Sequence, residues 1–138
     1  MTMKRYVGTK IIHAEPADRA GTPGYFVQYE DGYTSWSPKA VFESAYQEAE
    51  ELTFGMAVAA MRIGKRVARK GWNGKGMFLY LVKAFERQAC NAVEQAFFGE
   101  YFNVPQLAQI NMKTVDGTVV AWLASQTDIL SDDWIILE

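Results

Sequence analysis

From Lys4 to Trp36 the apolar and β-branched residues fall in short runs broken by turn residues, the pattern of strands rather than of a helix. Tyr6 to Ala14 predicts a first strand that stops before Pro16, and Asp18 to Gly24 predicts a loop. Gly24 to Tyr29 predicts a second strand, and Asp31-Gly32 is a hairpin signal leading into Tyr33-Thr34-Ser35-Trp36. A sheet of two or three such strands is too small to be stable unsupported. The period then changes. Ser37-Pro38 predicts a helix start, with Ser37 as cap and Pro38 at the first helical position. Val41, Phe42, Ala45, Tyr46 and Ala49 would share one face of that helix, and Glu48, Glu50 and Glu51 would end it. A β-rich N-terminal extension over residues 1–50 and a core domain over residues 51–138 are expected on this basis.

In the second part of the chain helical and strand periods alternate. Thr53 can cap a helix whose Phe54, Ala57, Val58 and Met61 recur at helical spacing, with Gly64 as its stop. Arg66 to Arg69 predicts a short strand, and the wholly apolar Met77 to Val82 predicts a central strand covered on both faces. Between them lies Arg69-Lys70-Gly71-Trp72-Asn73-Gly74-Lys75-Gly76, read as a loop. Ala89, Val93, Ala96 and Phe97 predict a helix that includes Cys90, followed by an irregular return to Pro105. Ala108, Ile110 and Met112 alternate with Gln109, Asn111 and Lys113, as in a strand with one wet face. Asp116-Gly117 turns this strand into Thr118 to Trp122; Ser125-x-x-Asp128 is a capping-box pattern; Asp133 to Leu137 closes the chain as a strand. The expected fold class is α+β, a small antiparallel sheet packed with helices and preceded by the β-rich extension.

Composition narrows the function. The 138 residues, 49% hydrophobic and 22% charged, are those of a globular protein able to bury a core. No run approaches the roughly eighteen apolar residues needed to cross a bilayer, and Met1 to Arg5 is followed by no signal-peptide core. A cytoplasmic location and no membrane partner are expected. A net charge of −2 argues against general nucleic-acid binding, which normally shows a basic domain. The one cysteine, Cys90, excludes an intramolecular disulfide, and no metal-ligand spacing occurs. His13, the one histidine, reads as an exposed strand residue and Cys90 as a packing residue. With no nucleophile elbow and no phosphate-loop lysine motif, nothing points to catalysis, and no cofactor is expected.

What chemistry there is gathers in two stretches. Gly71, Gly74 and Gly76 permit positive φ and exposed backbone donors, as anion-binding nests require. Lys65, Arg66, Arg69, Lys70 and Lys75 surround them with positive charge. Trp72 offers a stacking face, and Asn73 carries both a donor and an acceptor. The same residues equally suit a tight turn whose Trp72 folds onto the core. In the second stretch Trp122 precedes Ser125, Gln126, Thr127 and Asp128, which either cap a helix or hold ribose and phosphate oxygens. Lys113, on the wet face of its strand, could add a phosphate contact. Together the two stretches read as a site for a small anionic ligand with a flat ring.

These residues also carry a resemblance. Residues 54–138 resemble the type-two Thoeris anti-defence family, through the run from Lys65 to Met77, Met112-Lys113-Thr114, the run from Val120 to Leu130, and Asp132-Asp133-Trp134. The resemblance implies a small phage protein that acts as a molecular sponge. It would sequester, without cleaving, the cyclic ADP-ribose isomer made by bacterial Thoeris TIR proteins, with cyclic dinucleotides as further ligands in some members. It also implies a homotetramer with pockets where subunits meet, and places Trp72, Asn73, Trp122, Ser125, Thr127 and Asp128 in the ligand region. Residues 1–50 lie outside the resemblance and read as an appended module that packs on the core or modifies assembly. Residues 84–105 look longer or more helical than the shortest family pattern. The alternative expectation is a phage structural or protein-interaction module with no small-molecule ligand.

Overall fold

The helix predicted at Thr53 organises the second half of the chain. In the computed structural model, which describes residues 2–138 apart from the Asn73 side chain, it runs over Phe54–Arg62 (α2). The Thr53 side chain accepts from the Met56 amide at 3.3 Å. Gly64, at φ +87°, turns the chain away, where a side chain would be strained. Ala57, Ala60 and Met61 form its buried face.

That face lies against five antiparallel strands: β4 (Arg66–Arg69), β5 (Phe78–Val82), β8 (Gln109–Lys113), β9 (Val119–Ala121) and β10 (Trp134–Leu137). Their order is β10-β4-β5-β8-β9. The last strand returns to the outer edge beside β4, with Trp134 opposite Arg69 and Ile136 opposite Val67. The core cluster is Leu52, Ala57, Ala60, Met61, Val67, Leu79 and Trp134, with Phe54, Trp72, Leu81, Ile110, Met112 and Trp122 packed around it. Trp134 is the largest fully buried side chain, at 0% exposure. Burying an apolar side chain of this class contributes on the order of 1.5–3 kcal/mol. β5 is central, as predicted, but only Leu79 of it is buried; Phe78, Tyr80 and Val82, which alternate with the core-facing positions, are half-buried.

Between β5 and β8 the chain makes an excursion that the helical pattern only partly foretold. β6 (Phe85–Gln88) pairs with β7 (Asn103–Gln106), and α3 (Ala92–Phe98) fills the connection. Asn91 caps α3 by accepting from the Glu94 amide at 2.9 Å. Cys90 lies before the helix rather than in it and is exposed, so the predicted packing role does not hold. The strand pair was invisible because Phe85-Glu86-Arg87-Gln88 has no apolar alternation. The predicted wet face of β8 is also not wet: Asn111 is 8% exposed, its Oδ1 accepting from Gln109 Nε2 at 2.8 Å. At the β8–β9 turn Gly117 has φ +90°, and Thr114 and Thr118 hydroxyls donate to Asp116.

The contacts divide the chain into Met1–Glu48 and Ala49–Glu138. The first unit is a three-stranded antiparallel sheet in the order β1-β2-β3, followed by a helix. β1 spans only His13–Pro16; the segment from Tyr6 to Ile12, predicted as strand, is not, since its apolar residues meet no facing strand. His13 is exposed, as expected. β2 (Gly24–Gln28) and β3 (Thr34–Pro38) form the predicted hairpin. Ser37 and Pro38 belong to β3, so Ser37 is not the cap of α1 (Lys39–Ala45), which has none from a side chain. This helix ends four residues before Ala49. Tyr25, Phe42 and Tyr46 stack in sequence between sheet and helix, with ring centroids 4.1 and 5.0 Å apart. A Cβ at Gly24 would lie 2.3 Å from the Trp36 ring, so that glycine is required by packing. Antiparallel sheets with four α-helices among the described residues make the fold α+β. No helix among the described residues is long and apolar enough to cross a membrane.

Candidate functional site

Arg69 ends β4 and points into the α2 side of the sheet, beside Trp134. Its guanidinium donates from Nε to Asp133 Oδ1 at 2.9 Å and from Nη1 to Asp128 Oδ1 at 3.2 Å. It thereby joins three segments, the end of β4, the helix α4 (Gln126–Leu130) and the start of β10. The pair to Asp128 is largely shielded, with side-chain exposures of 22% and 15%. The hydrogen bond to Asp133 raises the Arg69 pKa against the opposing effect of burial.

Asp128 does two jobs. One oxygen meets Arg69; the other accepts from the Ser125 amide at 3.0 Å and the Ser125 hydroxyl at 2.7 Å. The Asp128 amide in turn donates to Ser125 Oγ at 3.0 Å, completing the capping box that the sequence predicted. Burial pushes the Asp128 carboxyl up, but the Ser125 bonds and the Arg69 charge outweigh it and leave the pKa lowered. The Asp128 carbonyl also accepts from Trp134 Nε1 at 2.9 Å, which satisfies the indole of the buried tryptophan.

The tryptophans of the two predicted stretches meet on that same Trp134. Trp72 packs edge-on against it at 5.5 Å and Trp122 at 6.1 Å, while Trp72 and Trp122 are 6.3 Å from one another. Phe54 closes the cluster at 5.3 Å from Trp134. Trp72 folds onto the core, as the turn reading had it, and remains half-buried at the rim. The glycine stretch is a 3-10 helix, Lys70–Lys75, anchored where the Lys70 amide donates to Asp133 O at 3.0 Å. Of Gly71, Gly74 and Gly76 only Gly76, just past this helix, has positive φ, at +69°, so the other two do not adopt the conformation expected of them. Lys113 reaches the same turn, its Nζ donating to Gly76 O at 3.0 Å.

The predicted site residues thus divide. Arg69, Ser125 and Asp128 bond to one another or to Asp133, and Trp72 and Trp122 are packed against the core. Lys75, Gln126 and Thr127 are exposed. Lys113 is half-buried and holds the turn. The side chain of Asn73, also expected at the site, lies outside the described residues. Asp133, Trp134 and Phe54 complete the corner and were not among the expected site residues. Asp133 stands 64 positions from Arg69, a separation at which no local pattern reports a pair.

Gly71 and Gly74 differ from the other glycines of the corner. Neither has positive φ, and a methyl added to either would meet nothing within 4 Å. Among the described residues nothing requires glycine at these two positions, which leave open backbone before Trp72 and before Lys75.

Comparison with known proteins agrees with this division of the chain. The model of the Thoeris anti-defense 2-like domain matches residues 52–137. A relative named Thoeris anti-defense 2, from Bacillus phage SP01, is 41% identical over 91 residues, which cover 63% of this chain and 96% of that protein. The matched span contains α2, the five-stranded sheet and the whole tryptophan corner. The chain belongs to the Thoeris anti-defense 2-like family, which places it among phage anti-defence proteins.

Proposed function

We propose that the protein is a sponge that binds a cyclic nucleotide immune signal and holds it intact. The cyclic ADP-ribose isomer made by Thoeris TIR proteins is the leading ligand, and cyclic dinucleotides are the next. The observation that carries this reading is the open space over the backbone at Gly71 and Gly74, beside the half-buried Trp72 and the exposed Lys75. Open backbone beside an aromatic edge and a cation is what a ring-bearing anion needs for close approach. Gln126 and Thr127, exposed on α4, supply further hydroxyl and amide groups for ribose or phosphate. Arg69 and Asp128 act as the frame behind the ligand, holding the two stretches together.

Sequestration needs affinity rather than turnover. Each tenfold gain takes about 1.4 kcal/mol, and one shallow corner offers few groups to supply it. A second copy of the chain would deepen the site, so the functional form is a homo-oligomer, a tetramer by the family resemblance, acting in the host cytoplasm. Exposed Val93, Phe97, Tyr101 and Leu107 on the β6–α3–β7 excursion support assembly, at 79–84% exposure.

The test is to incubate the protein with the cyclic ADP-ribose isomer, remove free ligand, denature the protein by heat and analyse the released fraction. Intact ligand supports the sponge; a converted product would identify an enzyme instead. Gly74→Ala should keep its fold and melting temperature while losing at least roughly tenfold in ligand affinity, about 1.4 kcal/mol. Uptake unchanged in that variant would remove this open backbone from the site.

A further inference from the structure

The first unit, Met1–Glu48, carries a pair of tyrosines at its β2–β3 turn, Tyr29 half-buried and Tyr33 exposed. Four of its other rings have evident structural partners. Tyr25, Phe42 and Tyr46 form the stack under α1, and the Tyr25 hydroxyl donates to Glu43 at 2.8 Å. Trp36 lies over Gly24, and its Nε1 donates to Ala17 O at 2.7 Å. Tyr29 and Tyr33 instead flank the β2–β3 turn, with ring centroids 5.6 Å apart and planes 30° from parallel. Tyr33 is 64% exposed.

The turn between them is firmly set. The Tyr29 amide donates to Tyr33 O at 2.8 Å, and the Gly32 amide donates to Tyr29 O at 2.9 Å. Asp31 Oδ1 accepts from the Tyr33 amide at 3.0 Å, and Gly32 sits at φ +86°. The backbone of the turn thus holds the two rings in fixed relation. The turn residues Glu30 and Asp31 are both acidic, so the local field favours a cation over an anion. A cation is in fact seated there: Lys10 Nζ lies 4.8 Å from the Tyr29 ring centroid, within the range at which a ring quadrupole attracts an ammonium group.

We propose that Tyr29 and Tyr33 form a recognition site for an alkylammonium cation, and that Lys10 occupies it in cis. The chemical class includes free quaternary ammonium compounds and the lysine or methylated lysine side chain of a peptide. Quaternary ammonium groups suit such rings best, because they shed water readily while keeping their charge. This site is separate in kind from the anion-binding corner of residues 69–76, and it gives the N-terminal unit a binding role of its own. Lys10 makes it self-masking: an incoming cation must displace a group already on the ring.

The experiment uses the full chain labelled at tyrosine rings and follows Tyr29 and Tyr33 by nuclear magnetic resonance. Tetramethylammonium chloride is titrated against sodium chloride at equal ionic strength. Both rings should shift saturably with tetramethylammonium and not with sodium. Lys10→Ala should tighten the apparent affinity about threefold, the order of a single exposed cation–π contact, and Tyr33→Ala should abolish saturation without altering the melting temperature. A trimethyllysine peptide, the same peptide with plain lysine and one with alanine identify the source. A trimethyllysine peptide that binds more tightly than tetramethylammonium assigns the site to a protein partner; equal binding assigns it to free ammonium compounds. Ring shifts that are linear and identical for the two salts, in both the parent and Lys10→Ala proteins, would overturn the proposal.

Discussion

The tryptophan corner and the β6–α3–β7 excursion use the same device to opposite ends. Each pairs an arginine with the carboxylate that also serves a helix start. In the corner Arg69 meets Asp128, 59 positions away, and both are largely shielded above Trp134. In the excursion Arg87 meets Glu94, seven positions away, with bonds of 2.8 and 2.5 Å. The first clamp closes a tertiary junction, and its aromatic rings turn inward. The second closes a local loop and leaves Phe97 and Tyr101 at 81% and 79% exposure. The difference teaches what each region has left to offer. The corner has Arg69, Asp128 and Asp133 engaged with one another and its tryptophans packed together, and it leaves Lys75, Gln126 and Thr127 exposed. The excursion has Arg87 and Glu94 engaged with each other and its apolar surface outside, which suits contact with another chain.

The largest test of this contrast is to remove one ring from each region. Trp134→Ala should cost about 3–5 kcal/mol, the range for deleting a large buried aromatic, whereas Phe97→Ser should stay within about 0.5 kcal/mol, as for other exposed positions. Urea denaturation gives both values; similar losses would mean that the two clusters are not different in kind. Light scattering on Phe97→Ser adds a second readout, since an assembly that uses this surface should lose mass while the fold persists.

A smaller effect is expected at the clamp. Arg69→Ala should lower stability by about 1.5–3 kcal/mol, the scale of hydrogen bonds to charged groups. Arg69→Lys should recover only part of it, because a point charge cannot reach Asp128 and Asp133 in the fork geometry of a guanidinium. Full recovery by lysine would show that charge alone joins the segments.

The mildest perturbation is pH. Hydrogen bonds from Arg87, then from the Cys90 amide, lower the Glu94 carboxyl from 4.5 to about 2. A carboxylate depressed on folding stabilises above its unfolded value and loses that contribution as pH falls through the folded one. The excursion should therefore loosen between pH 4.5 and about 2. Amide exchange at α3 should show it, and Glu94→Gln should be insensitive over that window. Persistence of the pH response in that variant would assign the titration to another group.

Legibility in the sequence followed the range of the interactions. Thr53, Gly64 and the Ser125–Asp128 box act within four residues of the elements they bound, so α2, α4 and their limits could be read directly. The Asp116-Gly117 and Asp31-Gly32 turns were equally plain, because each needs a backbone geometry that few residues supply. Tyr6 to Ile12 misled because β propensity without a facing strand does not make a strand. Ser37-Pro38 misled because the β3 ladder extends through both residues before the helix begins.

The two site stretches stood out by composition, but their relation did not. That Trp72 and Trp122 share a contact with Trp134, and that Arg69 is committed to Asp128 and Asp133, depends on the tertiary placement of β10 beside β4, which sets Trp134 opposite Arg69. Sequence by itself determined the α+β class, the caps at Thr53 and Ser125, and the two Asp-Gly turns. Only the tertiary structure decided which of the candidate site residues are engaged with one another and which face outward. The reason is physical: caps and turns are satisfied by near neighbours, whereas a cation or an indole is claimed by whichever distant segment the sheet brings beside it.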